Sequence, residues 1–131
     1  MKWNSNLSVK NDKIDHQHQT LLQTLDNLLA ACNQGKGNEE LIHTLDFLAE
    51  YTVSHFKDEE AYMAANGFPG LPDHKAVHDA FIAEVGSLVQ RIKSEGVSLP
   101  LVIEVNGKLN AWIIEHIMQM DMEYCKFIDS K

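Results

Sequence analysis

Residues 41–63, LIHTLDFLAEYTVSHFKDEEAYM, carry the pattern that decides the fold. Leu41, Leu45, Leu48, Thr52, His55, Glu59 and Met63 step by three and four, the spacing of side chains on one face of an α-helix. This stripe predicts a helix over residues 38–65. Asn66-Gly67 stops it, and Pro69 and Pro72 prevent its continuation. A stripe that faces a core should be apolar. Here it holds an imidazole and a carboxylate, His55 and Glu59, only about 40° apart around the helix axis.

The same period recurs on both sides. Upstream, His18, Leu21, Leu22, Leu25, Leu28, Leu29 and Cys32 predict a helix over 14–33, ended by Gly35 and Gly37. Downstream, His74, Val77, His78, Phe81, Val85, Leu88 and Ile92 predict one over 72–94, closed by Gly96. A fourth opens at Ser98, an N-cap residue type, with Pro100 in its first turn. Its stripe, over 98–128, is Val102, Val105, Leu109, Trp112, Ile113, His116, Ile117, Met120, Tyr124 and Phe127. Residues 1–13 lack the period and read as an N-terminal arm. No strand-like alternation, internal repeat or low-complexity tract interrupts the pattern. The expectation is an all-α, antiparallel up-down-up-down four-helix bundle, one domain spanning residues 1–131.

Composition narrows the function. The chain has 131 residues, 44% of them apolar and 23% charged, ordinary for a globular protein with a real core. Lys plus Arg number 11 against 19 Asp plus Glu, a formal charge of −8. No basic stripe is available to neutralise phosphates, so nucleic acid is excluded as the expected partner, and anionic membrane is disfavoured. No apolar run reaches the roughly 18 residues of a membrane span, and Met1-Lys2-Trp3-Asn4-Ser5-Asn6 lacks a signal-peptide core. Cys32 and Cys125 stand far apart on apolar stripes. They read as reduced, packing residues, and the expected compartment is the cytoplasm.

The seven histidines decide the chemistry. His18, His55, Glu59, His74, His78 and His116 all occupy stripe positions. Burying that many ionisable groups without partners would cost about several kcal/mol each, so something must compensate. A metal centre does so directly, because it binds neutral imidazole and ionised carboxylate. His55 and Glu59, and again His74 and His78, stand four apart and point the same way. His116 and Asp121 are five apart, about 140° on an ideal helix. Either the helix opens into a π-type turn there, or the two side chains reach different sides of the site. Periodicity alone does not select Asp121. His16 lies about 160° from His18 and should face solvent, and His43 is roughly 120° off the ligand face. Glu60 neighbours Glu59, but its five-residue offset from His55 makes it the poorer ligand candidate. No G-x-S-x-G, glycine-rich phosphate loop or His-Glu-x-x-His is present.

Taken together, Ile14-Asp15-His16-Gln17-His18, His55-Phe56-Lys57-Asp58-Glu59-Glu60, His74-Lys75-Ala76-Val77-His78, and Trp112 with His116-Ile117-Met118-Gln119-Met120-Asp121 resemble the hemerythrin family in its bacterial single-domain form. The resemblance spans residues 3–127. It departs at His16, where relatives usually carry a different polar residue. It implies two non-haem irons bridged by Glu59, Asp121 and an oxo or hydroxo group. His74, His78 and His116 would complete one iron. His18 and His55 would serve the other, leaving a position for dioxygen. The implied function is reversible dioxygen binding for transport, storage or delivery, without catalysis. Leu22, Phe56, Met63, Trp112, Ile113 and Ile117 are the expected oxygen-pocket residues, though ordinary core packing explains them equally well. Three alternatives stay open at this level: an oxygen or redox sensor, a di-iron enzyme acting on peroxide or nitric oxide, and a zinc or manganese protein. Affinity order alone does not select iron over zinc. No protein recipient of oxygen is indicated.

Overall fold

The computed structural model describes residues 3–130. Positions 1 and 2 of the expected arm, and position 131, lie outside the described residues. Asn11 starts the first helix, its side chain accepting from the Ile14 N–H at 3.1 Å. α1 therefore runs Asp12–Asn33, beginning ahead of its first apolar stripe residue. α2 is Gly37–Ala65 and α3 is Leu71–Glu95, with Pro72 in the opening turn where a missing N–H costs nothing. Gly96 ends α3 at φ +79°, a conformation that a side chain would strain. Ser98 then accepts from the Leu101 N–H at 3.4 Å and starts α4, Leu99–His116.

The fourth rod is not a single α-helix. After His116 it widens into a π turn over Ile117–Asp121 and resumes as α5, Met122–Asp129. Of the two ways to bring His116 and Asp121 together, the chain takes the local π turn. The result is a four-rod helical bundle with no strand among the described residues. α1 packs on α2 and α4, and α2 packs on α3. Asn106 pins α4 to α1 by donating to the Leu25 carbonyl at 2.7 Å. Among the described residues, no helix is long and apolar enough to cross a membrane.

The arm is tied down rather than free. Asp15 accepts from Ser8 Oγ at 2.6 Å and from the Val9 N–H at 2.8 Å, and Leu7 and Val9 are buried. The apolar interior falls into two clusters. The larger includes Leu21, Leu25, Leu48, Phe56, Phe81, Val102, Val105 and Ile117. The smaller is Val9, Ile14, Met63, Tyr124 and Cys125. On α1, His18 lies between Ile14 of one cluster and Leu21 of the other. On α2, Glu59 lies between Phe56 and Met63. On the fourth rod, Asp121 lies between Ile117 and Tyr124. A polar layer is thus sandwiched between two apolar ones.

Candidate metal centre

Every rod supplies the polar layer. His18 comes from α1, His55 and Glu59 from α2, His74 and His78 from α3, and His116 and Asp121 from the fourth rod. All seven side chains are buried, and Glu59, His78 and Asp121 are 0% exposed. The π turn is what carries Asp121 inward: Asp121 Oδ1 lies 3.1 Å from His116 Nε2 and 2.9 Å from His74 Nε2. Its other oxygen, Oδ2, is 3.1 Å from His18 Nε2. Glu59 Oε1 lies 3.1 Å from His55 Nε2 and 3.5 Å from His78 Nε2, and Glu59 Oε2 is 3.7 Å from His18 Nε2.

These distances hide a deficit. His18 Nε2, Glu59 Oε1 and both Asp121 oxygens are buried without a hydrogen-bond partner. Orphaned buried polar atoms cost roughly 1–3 kcal/mol each. His116 Nε2 also faces His74 Nε2 and His78 Nε2, each at 3.1 Å, where three lone pairs would converge without a proton or cation between them. The donor atoms form two groups able to hold an ion: Glu59, His74, His78, His116 and Asp121, and His18, His55 and Glu59. Glu59 belongs to both, and Asp121 turns one oxygen toward each. Nitrogen and oxygen donors in this number suit two transition-metal ions, and a metal would satisfy His18 Nε2, Glu59 Oε1 and both Asp121 oxygens.

Charge tells the same story. Burial pushes the Glu59 carboxyl up, but His55, His18 and His78 outweigh it and hold it well below the usual carboxylate range. Burial and the charge of Glu59 push Asp121 up, but His116 and His18 hold it low as well. Burial disfavours charge on the His18 ring, yet Asp121 and Glu59 raise its pKa from 6.5 to about 10. Two permanent anions thus sit in the core and demand cations. Without metal, a proton on His18 partly meets that demand, and metal binding would displace it.

The layer is braced from outside. Tyr124 donates to Glu59 Oε2 at 2.7 Å, and burial with the nearby carboxylates raises its pKa, so the phenol keeps its proton. His55 Nδ1 lies 2.7 Å from Gln17 Oε1, and His78 Nδ1 lies 2.9 Å from Glu60 Oε2. Phe56 stacks on His78 with ring centroids 3.8 Å apart, and Trp112 stacks on His116 at 4.6 Å. Residues 9–128 match the family model described as Hemerythrin HHE cation binding domain.

The chain belongs to the hemerythrin family.

It is 31% identical over 122 residues to the myohemerythrin of Riftia pachyptila, covering 93% of this chain and 88% of that protein. It is 32% identical to the bacteriohemerythrin of Pseudomonas paraeruginosa, over 93% of this chain and 77% of that one. A crystal structure of a mutant protein superposes with a TM-score of 0.80 at 26% identity, over 98% of this chain and 96% of that chain.

Beside the cluster, this hemerythrin chain has a small cavity of about 10 Å³ whose accessible surface is apolar. That is room for about one water-sized molecule. Phe56, Trp112, Ile113 and Ile117 line it, together with His18, His55 and His116. Leu22 and Met63, also expected there, do not. Leu22 packs in the larger apolar cluster and Met63 in the smaller one, while Leu21, Thr52 and Phe81 take their place on the wall. A stripe marks which side chains face inward but not how far each sits along the axis from the site. His16 and His43 are exposed, Cys32 is half-buried and Cys125 is buried. Sequence reasoning missed Gln17, set Glu60 aside, and counted Tyr124 only as apolar. The stripe position of a tyrosine one turn beyond Asp121 was the one available signal, since a buried phenol needs an acceptor.

Proposed function

We propose that this chain binds dioxygen reversibly at a non-haem di-iron centre, for transport, storage or delivery, and does not turn substrate over. The observation that carries the reading is the one-molecule cavity that His18, His55 and His116 of the cluster share with an apolar wall. It admits only a small ligand, and its apolar wall favours an uncharged one. Glu59 and Asp121, with an oxo or hydroxo group, would bridge the irons. His74, His78 and His116 would hold one, and His18 and His55 the other. Two ferrous ions, when bound, supply one electron each to dioxygen and recover both on its release.

The chain's own groups favour capture over turnover. Five neutral imidazoles against two carboxylates form a comparatively electron-poor donor set, which gives less support to high-valent oxidation chemistry than a carboxylate-rich one. Phe56, Trp112, Ile113 and Ile117 give the cavity an apolar wall, which offers a charged product little solvation. Tyr124 keeps its proton, donates a hydrogen bond to Glu59 Oε2 and so fixes that carboxylate's orientation. The names of the myohemerythrin and bacteriohemerythrin relatives support the same reading.

The test is direct. The protein is loaded anaerobically with ferrous iron, exposed to dioxygen, then evacuated while the visible spectrum is recorded. A charge-transfer band that comes and goes over several cycles supports the reading. Steady consumption of dioxygen or peroxide would replace the carrier with an enzyme, and two bound metals with no spectral response would point to zinc.

A further inference from the structure

Two hydrogen bonds just outside the cluster differ in chemical kind. Glu60 Oε2 lies 2.9 Å from His78 Nδ1. An ionised carboxylate can only accept, so His78 Nδ1 carries a hydrogen and Nε2 is the ring nitrogen left for a metal. Gln17 Oε1 lies 2.7 Å from His55 Nδ1. An amide side chain can present either end, so Gln17 alone would not choose the His55 tautomer. Asp58 chooses it. Gln17 Nε2 donates to Asp58 Oδ2 at 2.8 Å, and Lys13 Nζ lies 3.4 Å from the same oxygen. With its nitrogen engaged there, Gln17 turns its oxygen to the ring and accepts from His55 Nδ1–H. Both imidazoles therefore aim Nε2 inward, as metal ligation needs.

The two supports are unequal in charge. Glu60 sets a full negative charge one hydrogen bond from His78, and its side chain is only 20% exposed. Gln17 sets a neutral dipole against His55. The charge behind it, on Asp58, is one group further away and is offset by Lys13. A carboxylate partner raises the basicity of a ligating imidazole more than an amide does. His78 belongs to the five-residue group and His55 to the three-residue group, and the cavity is lined by His18 and His55 of the second and His116 of the first.

We propose that Glu60 on one side, and Lys13, Asp58 and Gln17 on the other, are positioning residues that fix the Nδ1–H tautomers of His78 and His55 and make the two metal positions unequal in donor strength. This rests on the reading of the site as a two-ion centre. The position backed by Glu60 holds its ion more tightly by its own support, and the position of His18 and His55 is kept the weaker donor.

Zinc tests this without redox chemistry. Competition with a chromophoric chelator reads the affinity of each of two zinc ions, and proton–nitrogen spectra of the zinc-loaded chain read the Nδ1–H of each ring. Glu60→Gln keeps an acceptor but removes the charge. It should weaken one ion about tenfold, leave the other within about twofold, and keep the His78 Nδ1–H visible with an upfield shift. Asp58→Ala, at a half-buried position, should weaken the other ion and speed solvent exchange of the His55 Nδ1–H while His78 is unmoved. Unchanged affinities in both variants, or equal weakening of both ions by either, would overturn the proposal while the two-ion reading stands. A wild-type chain that binds fewer than two zinc ions would overturn both.

Discussion

Around Leu25, Leu48, Val102 and Val105 the bundle buries hydrocarbon against hydrocarbon, each side chain 0% exposed. About two to four helical turns away on the same rods it also buries His18, His55, His116 and their partners. The apolar layer needs nothing from outside: removing its surface from water is favourable by about 25 cal/mol per Å². The polar layer leaves His18 Nε2, Glu59 Oε1 and both Asp121 oxygens without partners. Burial therefore has opposite meanings. In one layer it supplies stability, and in the other it consumes stability that a metal must restore. The contrast explains why the polar layer sits between two apolar clusters, which hold its groups in place while they are unpaired.

The contrast can be broken most decisively at Glu59, which belongs to both ligand groups. Glu59→Ala is expected to lower bound iron from two ions per chain to one or none by elemental analysis. Two ions retained would separate the polar layer from metal binding altogether. Leu48→Ala probes the other layer. It should cost about 2–5 kcal/mol in denaturant unfolding yet leave the metal content unchanged. A lost ion there would mean that the layers are not independent.

Linkage sharpens the comparison next. Metal at a hundredfold excess over its dissociation constant should stabilise the wild-type fold by about 2.7 kcal/mol, and this gain should vanish in Glu59→Ala. pH then separates the layers further. Because His18 is raised from 6.5 to about 10, its contribution to the metal-free fold is complete below 6.5 and is lost as pH rises through about 10. Glu59 and Asp121 are held low, so their contribution is present at neutral pH and lost only in acid. Metal-free protein should therefore lose stability on the alkaline side, followed by thermal melts across that range. Metal-loaded protein should not, and an identical alkaline loss in both would remove His18 from the site. The smallest effect is expected at the cavity wall, where Ile113→Thr should shorten the lifetime of the dioxygen-loaded colour several-fold without changing metal content. An unchanged lifetime would leave Ile113 as ordinary core.

Most of the polar layer was legible because it is written in helical period. His18, His55, Glu59, His74, His78 and His116 stand on stripes whose other members are apolar, and a stripe must face inward. Asp121 was different. On an ideal helix it points away from His116, and only the family resemblance named it. The stripe also could not separate wall residues such as Ile113 from Met63, which faces inward one turn past Glu59 but packs in the smaller cluster with Tyr124.

The amino-acid order by itself determined four amphipathic rods, their breaks, and the six polar groups that must share an interior, because 3.6-residue periodicity is a local property of the chain. The tertiary structure alone decided three things. The fourth rod relaxes into a π turn at Ile117–Asp121. Gln17 and Glu60 reach across to rings on other helices. Tyr124 finds Glu59 65 residues away. The physical reason is the same each time: a buried polar atom is satisfied by whatever is near it in space, and nearness across helices is set by packing, which no periodicity within a helix encodes.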